Sequence, residues 1–494
     1  MYAIGYDLGS SSIKAALVEV NNGKVIARIQ EPATEMSMDA PQAGWAEQDP
    51  ESWWGYACAA TKRIIEENNI SPDQIQSVGI SYQMHGLVLV DDQHEVVRPS
   101  IIWCDSRAVE LGEASFQRIG PERCLTHCLN SPGNFTAAKL KWVQENEPDN
   151  YARARYAMLP GDYLALKLSG EATTTATGLS EGVLWDFKAE TPASLVMDDL
   201  ELDQELLPTL VPAVGKQATV SADGAAASGL PAGIIIGYRA GDQPNNALSL
   251  NALAPGEVAA TAGTSGVVYG VTDRLVSDPE QRVNSFAHVN HTTAEPRIGV
   301  LLCINGAGIL HRWIRQNIGG KSLSYGEMEV LADKVAVGAN GLSFIPFGNG
   351  TERMFGNQQI GAHLLHLDLN RHEQGDLIRA GIEGIAFAFV YGMRIMKGEL
   401  GMDLSMIRVG NDNLFQSKIF ANTIATLSGA TIEVHNTTGA VGAAMAGAAG
   451  AGLVDELKTA MARQQIVERI EPTQHSAEYE EAYARWLKGL SLFQ

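Results

Sequence analysis

Tyr2-Ala3-Ile4-Gly5-Tyr6-Asp7-Leu8-Gly9-Ser10-Ser11-Ser12-Ile13-Lys14 decides the reading of the fold. An apolar run ends beside an acid, a turn of glycine and serines follows, and a second apolar run leaves it. Glycine lets backbone N–H groups approach a ligand closely, and hydroxyls add donors, so such a turn suits phosphate oxygens. Asp7, at the end of the first run, is placed to hold a metal ion or its water shell. The device returns as Ala260-Thr261-Ala262-Gly263-Thr264-Ser265-Gly266-Val267. Two phosphate-type loops, one in each half, predict a nucleotide held in a cleft between two related domains.

Length agrees with this, because 494 residues exceed what one compact core organises. The formal net charge of −21 argues against nucleic acid or an anionic membrane as the main partner. A small anion such as ATP still binds through local backbone dipoles. No basic segment precedes the first apolar run, which stops at Asp7, so no signal peptide is read. No apolar stretch approaches the ~18 residues of a membrane span. The expected location is the cytoplasm. Cys58, Cys104, Cys124, Cys128 and Cys303 are scattered and odd in number, as reduced thiols are. Cys124, His127 and Cys128 lack a second ligand pair and read as helix or core residues, not as a zinc site.

Asn21-Asn22-Gly23 predicts a hairpin turn, with Lys24 to Ile29 continuing as a strand. Along the second strand Ala15 and Leu17 face one way and Ala16, Val18 and Val20 the other. Asp49 reads as the N-cap of a helix with Pro50 in its first turn and Trp53, Ala57, Ala60 and Ile64 on its apolar face. Ser77 to Ser81 and Leu87 to Val90 are further strands. Downstream, strands are expected at 255–261, 267–271, 406–409 and 431–434, with helices at 417–427 and from Gly439. The Gly/Ala-rich run from Ala440 to Leu453 reads as a tightly packed helix. Domains are placed at 1–246 and 247–494.

Two motifs are decoys. Gly319-Gly320-Lys321-Ser322 has Arg315 where a P-loop needs its first glycine, and no Gly-x-Gly-x-x-Gly opens a helix. Arg239-Ala240-Gly241-Asp242-Gln243 follows a buried apolar run, so Asp242 falls at a strand end near the domain boundary. An acid there suits proton abstraction from a substrate hydroxyl, and a capping role is the alternative. Ser81-Tyr82-Gln83-Met84-His85-Gly86 suits a polyol site with one apolar wall, although a lone histidine is more often structural. In Trp103-Cys104-Asp105-Ser106-Arg107, Asp105 and Arg107 either bind a sugar or pair with each other.

Taken together and in order, these motifs resemble the FGGY family of carbohydrate kinases, most closely its xylulokinase branch. Further matches are Gly44-Trp45-Ala46-Glu47-Gln48-Asp49-Pro50 followed by Trp53-Trp54, Phe135 to Trp142, Leu159-Pro160-Gly161-Asp162-Tyr163-Leu164, and Asn436 to Ala444. The resemblance implies an α/β fold of two related actin/hexokinase-like (ribonuclease H-like) domains flanking a deep ATP/sugar cleft. It implies ATP-dependent phosphorylation of D-xylulose to D-xylulose 5-phosphate, with Asp242 as general base and Mg²⁺ positioned by Asp7. Gln83, Met84, His85, Trp103, Asp105 and Gln243 are then sugar contacts. Gly9, Ser10, Ser11, Ser12, Lys14, Gly263, Thr264, Ser265, Gly266, Gly308, Gly410, Asn413 and Ser417 are ATP contacts. A homodimer is compatible with the family.

Another ketose or polyol (L-ribulose, L-xylulose, glycerol) and a non-catalytic sugar-sensing relative remain as alternatives. The chain departs from the family at three places. Gly350-Thr351-Glu352-Arg353-Met354 lacks the proline of Gly-Glu-Arg-Thr-Pro. Gly410-Asn411-Asp412-Asn413 replaces Gly-Gly-Gly-Ala, and Asn134 opens the Phe135 segment.

Overall fold

The computed structural model describes residues 1–320, 322–463 and 466–494. Lys321 of the Gly-Lys-Ser decoy lies outside the described residues. The N-terminal half builds a six-stranded sheet from β1 (Tyr2–Leu8), β2 (Ile13–Glu19), β3 (Val25–Glu31), β4 (Ile75–Tyr82), β5 (Val214–Thr219) and β6 (Ile235–Gly241). Its spatial order is β5-β6-β4-β1-β2-β3. β1, β2 and β3 form an antiparallel meander, β4 and β6 join in parallel, and β5 closes the edge antiparallel.

The C-terminal half repeats this plan with β7 (Glu257–Ala262), β8 (Gly266–Thr272), β9 (Asn284–Ala287), β10 (Ile298–Ile304), β11 (Met406–Gly410), β12 (Thr431–His435) and β13 (Ile466–Ile470). The order is β9-β10-β8-β7-β11-β12-β13. Again a meander is extended by two parallel strands and an antiparallel edge. The expected duplication of one α/β unit is therefore present.

Local chemistry explains the elements. The Asp49 carboxylate accepts the Glu51 N–H at 3.0 Å and opens α1 (Pro50–Glu67), with proline in its first turn. Trp53, Ala57, Ala60 and Ile64 pack under the sheet with Ala15 and Leu17 of β2. The other face, Ala16 and Val18 of β2 with Val20 just past its end, belongs to a separate core with Ala440, Ala443 and Ala444. The alternation along β2 thus separates two cores, both apolar.

Those alanines lie on α3 (Gly439–Gly450), which follows β12 in the C-terminal half yet lies across the N-terminal sheet. Small residues make this possible: a Cβ on Gly5 would meet the Ala440 carbonyl oxygen at 2.1 Å, and one on Gly237 the Gly447 oxygen at 2.2 Å. The two sheets are joined by α2 (Asp242–Ser249), which packs on α3. A boundary between 246 and 247 falls inside that helix, and the sheet changes between Gly241 and Glu257.

Candidate active site in the interdomain cleft

Strands β1, β4 and β6 run parallel and end in register, with Leu8 and Gly241 both opposite Tyr82. Asp7, the Gly9–Ser12 turn, Gln83 and Asp242 therefore emerge side by side at the carboxyl edge of the sheet, where open α/β sheets hold their ligands. With Lys14 and Trp103 they line one cavity of about 250 Å³. The turn is closed by Gly9 N–H on Ser12 O at 3.0 Å. It is held from behind by Gln48, whose Nε2 donates to Ser10 O at 2.7 Å. The Gln83 amide donates to Gln48 Oε1 at 3.1 Å, linking the end of β4 to the Gly9–Ser12 turn through Gln48.

The two acids differ in setting. Ser81 Oγ donates to Asp7 Oδ1 at 2.8 Å, and a Cβ on Gly439 would lie 2.6 Å from Asp7 Oδ2. Loss of solvent raises the Asp7 pKa above the usual carboxylate value, against Ser81 and Lys14. Asp242 is pushed up to about 7, first by desolvation and then by the negative charge of Asp7. Gln243 opposes that rise by hydrogen bonding to the Asp242 carboxylate, so it supports the acid. A carboxylate with a proton affinity near neutrality suits a general base.

Just beyond β4, Met84 is buried and packs with its Cγ against Gly241, where an added Cβ would come within 2.5 Å of it. His85 adopts the left-handed φ of 62°. Its Nδ1 lies 2.8 Å from Glu181 O. A carbonyl only accepts, so Nδ1 carries the proton and Nε2 presents a lone pair. Desolvation pushes the His85 pKa down to about 3, so the ring is neutral at physiological pH. Lys139 Nζ donates to His85 O at 2.8 Å and to Ile102 O at 3.0 Å, fixing the strained residue.

Asp105 is corrected from sugar contact to structural anchor. It is fully buried, and its carboxylate accepts Ala46 N–H at 2.6 Å and Arg107 Nη2 at 2.7 Å. Arg107 in turn reaches Glu47 at 2.7 Å and lies 3.8 Å from the Trp45 ring centroid. Of the two readings left open for Asp105 and Arg107, the pair with each other is the one present. Asn134 hydrogen-bonds the Asp105 carbonyl, which accounts for that residue at the head of the Phe135 segment. Trp103 remains half exposed at the cavity, its Nε1 3.5 Å from Ser10 Oγ.

A second cavity, of about 630 Å³, lies in the C-terminal half, a size that accommodates a nucleotide. Gly263, Thr264, Gly308, Asn413 and Ser417 line it together. Gly308 N–H donates to Gly263 O at 2.8 Å, and a Cβ on Gly308 would lie 2.3 Å from that oxygen. Asn413 takes a left-handed φ of 54°, a conformation asparagine tolerates better than most residues, in the loop that lacks the family's glycines. Ser417 caps the next helix by accepting Phe420 N–H and donates to Glu329 at 2.7 Å. Three ATP positions are placed otherwise. Gly266 faces the Phe389 ring, where a Cβ would meet it at 2.3 Å, because β8 must pack closely there. Ser265 is exposed beyond the cavity lining, and Gly410 ends β11 outside it.

Gln48, Lys139, Glu181 and Glu329 are site residues that the motifs do not single out, as is Tyr325, which lines the larger cavity. Gln48 and Lys139 stood in quoted motifs, but nothing in their spacing shows what they hold. Cys124 donates to Asn130 O and His127 meets Asp186 at 2.9 Å, so both have partners within the fold.

Models of the N-terminal and C-terminal domains of the FGGY family of carbohydrate kinases match residues 2–249 and 258–451. A xylulose kinase of Klebsiella pneumoniae is 27% identical, with 90% of this chain and 88% of that protein covered. One of Lactococcus lactis is 29% identical, covering 98% and 95%. Among solved structures, a xyloylose kinase from Brucella ovis superposes with a TM-score of 0.89 at 25% identity over the whole of both chains. Plasmodium falciparum glycerol kinase with ADP shares the fold, with a TM-score of 0.88 at 17% identity over 100% of this chain and 98% of that one.

Proposed function

Because the chain belongs to the FGGY family of carbohydrate kinases, and is an ATP-dependent sugar kinase, we propose that its acceptor is D-xylulose, phosphorylated at O5 with Asp242 as general base. The observation that carries the catalytic assignment is the placing of Asp242. It sits in one cavity with Asp7 and the first phosphate loop, with its pKa raised to about 7. Support for a xylulose acceptor comes from relatives that match along most of their length and are xylulose kinases. The sugar-side wall of Gln83, Met84 and neutral His85 is compatible with it.

The sugar would lie between His85 and Asp242, with His85 Nε2 accepting from one sugar hydroxyl. Asp242 takes the proton from the attacking hydroxyl as that oxygen meets the γ-phosphoryl group. Lys14 and the N–H groups and hydroxyls of the Gly9–Ser12 turn and of Gly263–Thr264 hold the phosphates in line. Closure of the cleft excludes water, which would otherwise compete as acceptor.

Asp7 fits a magnesium ion: its carboxylate is a hard oxygen donor that lines the same cavity as the Gly9–Ser12 turn. Among the described residues no three His, Cys, Asp or Glu side chains converge. Magnesium bound through one carboxylate and phosphate oxygens needs no such set. When bound, the ion neutralises charge on the transferring phosphates.

The test is ADP release with Mg·ATP and D-xylulose, L-xylulose, D- and L-ribulose, L-fuculose or glycerol. D-Xylulose is expected to give the highest kcat/KM. A clear preference for another acceptor overturns the substrate assignment but leaves the kinase, and no turnover with any of them overturns both D-xylulose and Asp242.

A further inference from the structure

Arg353 belongs to the C-terminal half but reaches across the cleft. Its Cζ lies 5.2 Å from the Phe135 ring centroid, and its Nη2 lies 3.8 Å from where a Cβ on Gly133 would stand. Phe135 packs edge-on against His85, with centroids 4.6 Å apart. The positive charge of Arg353 bears on His85, and Cys303 is influenced by both Arg353 and Asp242. Arg353 therefore stands on the His85 side of the cleft, over Phe135.

Elsewhere the fold pairs its buried arginines. Arg107 meets Asp105 at 2.7 Å, Arg239 meets Asp162 at 2.9 Å, and Arg379 meets Glu383 at 2.7 Å. Among the described residues the Arg353 guanidinium has neither an ion pair nor a hydrogen bond, and desolvation lowers its pKa. Arg353 is only partly buried, so its N–H groups, with no carboxylate paired to them, stand open to the oxygens of a ligand. Glu352, immediately before it, adopts φ 54° and ψ −167°, a conformation costly for a residue with a side chain.

We infer that Arg353 is a substrate-contacting specificity residue. Its guanidinium fork receives the carbonyl oxygen and the neighbouring hydroxyl oxygen at the C1–C2 end of an open-chain ketose, while Asp242 addresses the hydroxyl at the far end. Two adjacent oxygens match the two parallel N–H groups of the fork, and Phe135 supplies an apolar wall beneath. A polyol lacks the carbonyl and engages the fork less well. The inference rests on the ketose reading above.

The experiment compares Arg353→Gln and Arg353→Lys with the wild type, using the acceptor the wild type turns over best. The acceptor KM should rise about 10- to 100-fold in Arg353→Gln. The KM for ATP should stay within about two-fold of wild type. Arg353→Lys, which keeps the charge but not the fork, should recover only part of the loss. Titration of the same sugar into Asp242→Asn and into the double variant Asp242→Asn/Arg353→Gln reads binding without turnover. An unchanged acceptor KM overturns the inference. So does a parallel rise in both KM values with a lower unfolding temperature, which marks a structural residue. If the wild type prefers glycerol, the ketose reading itself has failed, and this is known before any variant is made. If it prefers an aldonate such as D-gluconate and Arg353→Gln abolishes that, the guanidinium pairs a carboxylate and the ketose assignment is overturned.

Discussion

The Cα of Gly79 lies so close beneath the Ala443 carbonyl that a methyl group on it would come within 1.9 Å of the oxygen. Gly79 is on β4 of the N-terminal sheet, and Ala443 is on α3 of the C-terminal half. The contact fixes how far the helix sinks into the sheet. It also sets where the start of the helix stands, and Gly439 there abuts Asp7. Packing between the halves and the geometry of the acid cavity are thus one structural fact.

Gly79→Ala should destabilise the protein by about 1–3 kcal/mol or more, because the clash is with backbone that no rotamer change relieves. Displacement of α3 should also lower kcat through Asp7. Thermal unfolding with kinetics on the same preparation checks both. A variant of wild-type stability would mean that the helix shifts without cost.

Asp242→Asn should reduce kcat by about 10²–10⁴-fold while ATP still binds. It should also stabilise the apo protein. Desolvation lifts Asp242 to about 7, whereas an unfolded aspartate titrates near 3.9. Between these values the folded chain holds a proton that the unfolded chain has released, so the contribution of Asp242 to stability falls as pH rises and is lowest above about 7. At pH 8 the variant should melt above wild type, and at pH 4 the two should converge. Near-wild-type turnover would remove Asp242 from the mechanism.

The pH–rate profile should rise with pH through about 7 as Asp242 becomes a carboxylate. His85 does not shape this limb, because its pKa is pushed down to about 3. His85→Asn should raise the sugar KM and keep the limb. Lys139, pushed down to about 7 by burial, titrates in the same range, so Lys139→Met serves as the control. Loss of the limb in Lys139→Met would assign it to the lysine.

Asp105→Asn should act on stability first. It weakens a fully buried pair with Arg107, and removal of one partner from such a pair costs about 3–5 kcal/mol. A variant that folds with wild-type stability but a raised sugar KM would restore Asp105 as a sugar contact.

Much of this molecule was legible before any coordinates. The strands around Asp7 and Gly263, the capped helix at Pro50 and the helix from Gly439 each announce themselves within a few residues. Alternating burial, a side-chain cap and turn-forming glycines are local causes with local signatures. Two phosphate loops in a duplicated chain already implied two related domains around a nucleotide. The motifs carried the family because their order along the chain is itself information.

What the sequence could not contain is which groups burial and folding bring together. Asp105 and Arg107 are two residues apart in the chain, and only burial of both chose their pairing over a sugar contact. The Gly/Ala run at 440–453 was readable as a packed helix, but not as one laid on the opposite sheet. Arg353 read as part of a motif lacking its proline, and the fold placed it over Phe135, more than two hundred residues earlier in the chain. Residue type and spacing determined the elements and the chemistry on offer. Desolvation and close approach, which exist only once the chain is folded, decided which acid is raised toward neutrality, which histidine is neutral and which arginine stands over Phe135.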